Sequence, residues 1–287
     1  MTVTGVWKGC AVAASATATL TDCSMVNNAG DGLTVSGDST TQIESSRIFC
    51  LSTENSVYRT CVEACGAGSH VTAKSCHLRG GFKGAAAEDG GRLTASGCWS
   101  SSNHYGYDLS DESVMELLNC SSDGALRTGC SVKGGHLLAT NLVVTNSRLD
   151  GLEIYSGNAE MKACSVTGCG ENGMTFAGIC VGKVTEASVQ DCLVKQNRGG
   201  GIRAVQKATV TVRGCRSTDN GGAGFRVEDG AQMTVVDSSS DRDAAGCVAD
   251  SDRCNTVLTM EQVTVDGVVQ SGTLSQRLTH RPRFPWG

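Results

Sequence analysis

Two short stretches carry the side chains best suited to chemistry. "NHYGYDLSDE", residues 103–112, places His104 and Tyr105 just ahead of Asp108 and Asp111. A histidine in the turn before an aspartate is a candidate base, provided geometry brings it to a substrate. "CVEAC" sets Cys61 and Cys65 in a C-x₃-C spacing, with Cys76 and His77 following in "SCH". Thiols and imidazoles ligate zinc, but this spacing is looser than the usual knuckle. The expectation is therefore no metal, with Cys61 and Cys65 the pair to test. Tyr58, Arg59 and Glu63 lie around the same stretch and are candidate contacts for a partner.

The elements that must position these residues are legible in composition and repetition. Both prolines, Pro282 and Pro285, fall in the last six of 287 residues, while glycine numbers 37 and cysteine 16. Stacked strands have that profile, because each donates N–H groups to its neighbour and proline would remove a donor. One column repeats down the chain: Cys23, Cys50, Cys76, Cys98, Cys120, Leu142, Cys164, Cys192, Cys215 and Ser238. Cys76, Cys98, Cys120, Leu142 and Cys164 follow one another at intervals of 22. Apolar residues precede each anchor by five and three positions, as in Val210 and Val212, which is the period of a half-buried strand.

Five positions after the anchor comes asparagine, in Asn28, Asn55, Asn103, Asn197 and Asn220. Its amide is expected to satisfy corner backbone and stack on the next rung, at about 1 kcal/mol per bond. Nine after it comes glycine, in Gly32, Gly129, Gly151, Gly173, Gly201 and Gly224, read as a corner of positive φ. A second short strand follows that glycine, as in "GLTV", "GMTF" and "GFRV". A unit this short cannot bury its own apolar face, whereas stacking at about 4.8 Å buries a continuous core. A leucine-rich repeat is excluded, because its ladder of leucines is missing.

"VTVRGCRSTDNGGAGFRV" resembles the right-handed parallel β-helix repeat of the pectin-lyase-like superfamily, over about residues 5–270. The expected fold is all-β: a single-stranded right-handed parallel β-helix of about 10–11 rungs of roughly 22 residues. It spans residues 1–272, and residues 273–287 form a tail that caps the far end or is disordered. The stacked cysteines are expected to stay reduced, since rungs hold Cβ atoms farther apart than the ~3.8 Å of a disulfide. Extra length is expected to project as loops at 36–46, at 177–186 and around "YRTCVEACGAGSH".

The resemblance implies two functions. Cysteine-laddered β-helices resemble the substrate-binding segment of eukaryotic F-box proteins, which implies a non-catalytic scaffold for a protein partner, in the cytoplasm. The alternative follows from "YGYDLSD": Tyr105, Gly106, Tyr107, Asp108 and Asp111 match the signature of alginate C5-epimerases. Leu109 and Ser110 replace that signature's proline and histidine, removing a proposed catalytic group. This alternative implies a lyase or C5-epimerase on uronate polysaccharides, with calcium a cofactor only under that reading. Polygalacturonase-like acid pairs are not recognisable. The net charge of −5 and the lack of a basic cluster before the tail argue against nucleic acid or a membrane surface. Bare strand edges at the ends are expected to favour end-to-end self-association.

Overall fold

The chain turns because one residue per rung adopts the left-handed conformation just before the anchor. In the computed structural model these are Asp22, Ser45, Ser75, Gly97, Asn119, Asn141, Ala163, Asp191, Gly214, Asp237 and Gln262, with φ between 49° and 62°. Glycine, asparagine and aspartate tolerate that region best, and they hold seven of these eleven corners. The structure describes residues 2–4, 9–50, 59–173, 175–183, 185–249 and 256–276.

The anchor side chain then closes the corner. The thiol of Cys23, Cys76, Cys98, Cys120, Cys164, Cys192 or Cys215 donates to the carbonyl two residues earlier, at 3.2–3.6 Å. Ser46 and Ser238 donate in the same way at 2.8 Å. The anchor also accepts from the rung before: Cys164 N–H to Cys192 Sγ, Cys192 N–H to Cys215 Sγ, and Cys215 N–H to Ser238 Oγ at 3.0 Å. A small side chain with one donor and one acceptor is what the position requires, and cysteine and serine both supply it. All fifteen cysteines among the described residues are free thiols.

Each rung contains three strands, not the two expected. A rung runs, for example, through Thr209–Arg213, Arg216–Thr218 and Ala223–Val227. They join a first, second and third parallel sheet respectively, each residue pairing with its equivalent one rung on. About eleven turns of roughly 23 residues stack this way. Among the described residues the last pairing alone is antiparallel: Val268–Gln276 folds back over the outer edge of Thr256–Val265. Phe284 and Trp286 lie outside the described residues.

Several details differ from the sequence reading. The anchor between Cys23 and Cys76 is Ser46, not Cys50, because Arg47 pairs with both Ser24 and His77. Residues 36–46 are accordingly no insertion; Thr40–Glu44 is a regular strand of the first sheet. The extra residues before Cys192 precede the third strand. That strand is Ile179–Val181, paired with Leu152–Ile154 and Ile202–Ala204, so the expected strand "GMTF" is not the one in the ladder. Nor do the column glycines need positive φ. A Cβ on Gly106 would lie 2.0 Å from Ser122 Oγ, and one on Gly201 would lie 2.2 Å from Ser217 Oγ and 2.6 Å from Gly224 O. Glycine is required there by close approach across the core.

The asparagine column does satisfy backbone. Asn197 Oδ1 accepts from Cys169 N–H, and Asn220 Oδ1 accepts from Asn197 N–H, both at 2.9 Å. Asn103 Oδ1 accepts from Gly81 N–H at 2.8 Å. Asn55 lies outside the described residues, as does the side chain of Asn28. Core volume is balanced within rungs: the two largest buried rings, Tyr107 and Phe225, share their rungs with Ser100 and Ser217 on the second sheet. Tyr107 spans the core, donating its hydroxyl toward the carbonyls of Cys98 and Ser121 at 3.2 Å.

Gly201→Ala is expected to destabilise the fold by roughly 1–3 kcal/mol or more, since both clashing neighbours belong to fixed rungs. Urea unfolding of the variant measures this. A midpoint equal to that of the parent would contradict the close-approach reading.

Candidate functional site

On the outward side of the third sheet, one column of residues runs along the helix axis. Register aligns Glu63, Ala86, Asp108, Ser131, Glu153, Cys180, Arg203 and Arg226. Asp108 is the centre of a cluster there. Alternation turns Tyr107 and Leu109 into the core, so Asp108 must face outward, yet it is only 2% exposed. Two lysines cover it: Lys83 Nζ lies 2.6 Å from Oδ2, and Lys133 Nζ 3.5 Å from Oδ1. Lys83 also donates to Glu88. Burial alone would pull the Lys83 ammonium toward neutrality, but Asp108 and then Glu88 more than offset it and hold it charged, well above the usual lysine range.

Tyr105 completes the cluster. Lys133 Nζ sits 4.3 Å and Arg127 Cζ 5.4 Å from its ring centroid. Phe82 meets the same ring edge-on at 5.5 Å. The corner is thus a carboxylate and a phenol among three cations. Lys83 and Lys133 were not anticipated from sequence, although Lys83 stands 22 residues before Tyr105 and so in phase with the repeat. The other candidates disperse. His104 stacks at a tilt on Phe82, 5.1 Å between centroids, with its imidazole pushed to lower pKa by burial and then Arg127. Asp111 lies in the exposed turn after this strand, at φ 53°. Arg59 uses its carbonyl to accept from Phe82 and Lys83, and Glu63 joins the outward column two rungs before Asp108. Tyr58 lies outside the described residues.

Cys61 and Cys65 do not share a site. Cys61 is buried with its thiol toward Arg79 O at 3.5 Å, whereas Cys65 is partly exposed and donates to Asp89 at 3.5 Å. Among the described residues no three His, Cys, Asp or Glu side chains gather as metal ligands. For calcium the Asp108 surroundings are cationic, so the donor set does not fit that ion.

Farther along the same face, Asp150 is 6% exposed and accepts from Ala177 N–H at 2.6 Å. Burial pushes its carboxyl up to about 7, with Glu153 adding to the rise and the Ala177 bond opposing it. A carboxyl raised on folding keeps its proton while the unfolded chain, near its ordinary value of about 4, has lost it. Stability therefore falls as pH rises from about 4 to about 7, then levels. Asp150→Asn, which retains the acceptor, is expected to remove that slope and to stabilise the fold at pH 8, with an upper limit on the order of 4 kcal/mol. Thermal melts from pH 5 to 8 measure it; an unchanged slope would contradict the assignment.

The fold is shared with known proteins over most of the chain. A double mutant of the periplasmic alginate epimerase AlgG superposes with a TM-score of 0.64 at 11% identity, covering 92% of this chain and 73% of that one. The A-module of the mannuronan C-5 epimerase AlgE6 from Azotobacter vinelandii gives 0.56 at 13% identity, covering 88% and 74%. No curated protein matches the sequence. The expected cytoplasmic location is corrected by these neighbours, which include a periplasmic protein. Free thiols do not argue otherwise: rungs about 4.8 Å apart hold stacked cysteines beyond disulfide reach, whatever the compartment. The family model for the right-handed β-helix region matches residues 8–146 and 109–261, and the chain belongs to that family.

Proposed function

We propose that the third-sheet face around Asp108 binds a uronate polysaccharide and exchanges the proton at C5 of the bound sugar. The observation that carries this reading is the convergence of Tyr105, Asp108, Lys83 and Lys133 on one outward face. The stretch resembling the alginate C5-epimerase signature supplies both the phenol and the carboxylate. Two neighbours that share the fold are alginate epimerases, which supports the same substrate class.

The chemistry asks for little more. A proton beside a carboxylate is removed only when the resulting enolate is stabilised, so cations must meet the substrate carboxylate. Arg127 is exposed and Lys133 is 43% exposed, and both already lean over the Tyr105 ring. They are the groups to receive the uronate. As Lys133 turns to that carboxylate, Asp108 keeps Lys83 and gains a free oxygen. Tyr105 or Asp108 then takes the C5 proton. Delivery of a solvent-derived proton to the opposite face inverts the centre; expulsion of the C4 oxygen, which takes up a proton and leaves as the hydroxyl of the neighbouring sugar, instead gives chain cleavage.

A second reading is the non-catalytic recognition scaffold. It is favoured by Ser110, which stands where the epimerase signature has histidine, and by Asp108, which is saturated by lysines in the free protein. Under that reading the face recognises a protein partner, as the F-box-like resemblance implies.

Polymannuronate and polygalacturonate incubated with the protein in D₂O, with and without calcium, separate the two. Deuterium at C5 or unsaturated chain ends is expected. Asp108→Asn and Tyr105→Phe should each lower the rate by roughly 10²-fold or more while leaving the circular dichroism unchanged. No deuterium and no cleavage by the parent protein would reject the enzymatic reading and leave the scaffold.

A further inference from the structure

A different face carries a second binding site. On the second sheet, Arg47–Cys50, His77–Arg79 and Trp99–Ser101 lie side by side in register. Their central residues, Ile48, Leu78 and Ser100, point into the core, so the flanking residues form an outward grid. One column reads Arg47, His77, Trp99; the other reads Phe49, Arg79, Ser101.

The aromatic members are ordered against each other. His77 and Trp99 stack at 4.2 Å with planes 3° apart, and Phe49 meets the His77 edge at 4.9 Å. His77 Nε2 lies 3.0 Å from Ser101 Oγ, which fixes the rotation of the imidazole. The outer face of Trp99 is left to solvent, at 47% exposure. Arg47 and Arg79, both exposed, are close enough to His77 to lower its pKa after burial has done so. Neither has an ion-pair partner among the described residues, whereas Arg92, Arg148, Arg213, Arg216 and Arg242 on other rungs all do. An immobilised indole with one open face beside two unneutralised guanidiniums suits a flat, partly apolar ring that bears a negative charge.

We infer that this grid is a binding site for an acidic sugar ring, with the ring on Trp99 and its carboxylate on Arg79, one rung back. Because His77 covers one face of Trp99, the open face looks on toward Ser121, so the carboxylate reaches back past the indole edge to Arg79 of the His77 rung, while Arg47, two rungs behind Trp99, adds positive charge from farther off. A nucleic-acid strand is the less fitting occupant, because the following rung presents Ser121 and Asp123 outward instead of further cations. The site stands on its own residues and does not depend on turnover at Asp108.

Titration calorimetry of the full chain with a mannuronate hexamer, a neutral mannose hexamer and a thymidine hexamer tests this. To keep the Asp108 face from contributing, each titration is repeated in the Asp108→Asn, Arg127→Ala background. The uronate hexamer is expected to bind there, with affinity falling as salt rises. Trp99→Ala and the double variant Arg47→Gln, Arg79→Gln should each weaken it by tenfold or more. Binding that survives both changes would overturn the proposal, as would equal affinity for the neutral hexamer. Tighter binding of the thymidine hexamer would assign the grid to nucleic acid and also overturn it. Both changes fall on exposed side chains, and the circular dichroism of each variant shows whether the fold is kept.

Discussion

Nine of the eleven corners are closed by the same interaction: a thiol or hydroxyl reaching back over a left-handed residue to the carbonyl two positions earlier. That bond holds the chain in a turn which, for a residue with a side chain, costs free energy in isolation. The same atom accepts from the previous rung, so the closure of one turn is also the seam to the next. Of the anchors that follow the eleven left-handed corners, nine carry a thiol or hydroxyl; Leu142 and Val263 are the exceptions. A serine at this position is isosteric with the cysteines above and below it, which is why Ser46 and Ser238 interrupt the cysteines without interrupting the helix.

This division of labour decides where function sits. Inward positions are filled to interior density, with Tyr107 and Phe225 balanced by serines in their own rungs. The corners are committed to backbone. What remains are the outward columns of three flat sheets, where successive residues lie one rung apart and charge can be arranged along the axis. On the third sheet, acids and bases largely neutralise each other: Lys83 with Asp108 and Glu88, and Arg203 with Glu228 at 3.0 Å. On the second sheet, the aromatic grid keeps its two arginines unneutralised. On the first sheet, a shallow depression of about 530 Å³ lies among His136, Asn158, Glu160, Glu186, Ser188 and Thr209.

Much of the fold was legible because the repeat is written in residue types with a physical cause. Alternation in "VTVRGC" gave the buried faces Val210 and Val212, and the asparagine column gave its ladder. Where the reading slipped, a chemically equivalent residue had replaced the expected one, or a geometric reason had been misjudged. Ser46 does the work of an anchor cysteine, so Cys50 drew the register away from it. Gly178 opens its strand, but Gly173 lies at the expected spacing and "GMTF" mimics a strand. The glycine column proved a matter of contact distance, and the true left-handed position was hidden because six different residue types occupy it. The site was legible only in part. Tyr105 and Asp108 share a strand and a motif, but Lys83 and Lys133 come from neighbouring rungs and are found only after the repeats are placed in phase.

Native-state hydrogen exchange by NMR at the anchor amides tests the corner interaction most directly. The amides of Cys164, Cys192 and Cys215 donate to a sulfur or hydroxyl of the next rung rather than to a carbonyl. If the anchors hold the rungs together, these amides exchange as slowly as the strand amides of Val189 and Val212 beside them. Exchange at the rate of the exposed turn at Asp111 and Glu112 would mean that the corners open independently of the sheets, and that the ladder is a consequence of the stack and not its support.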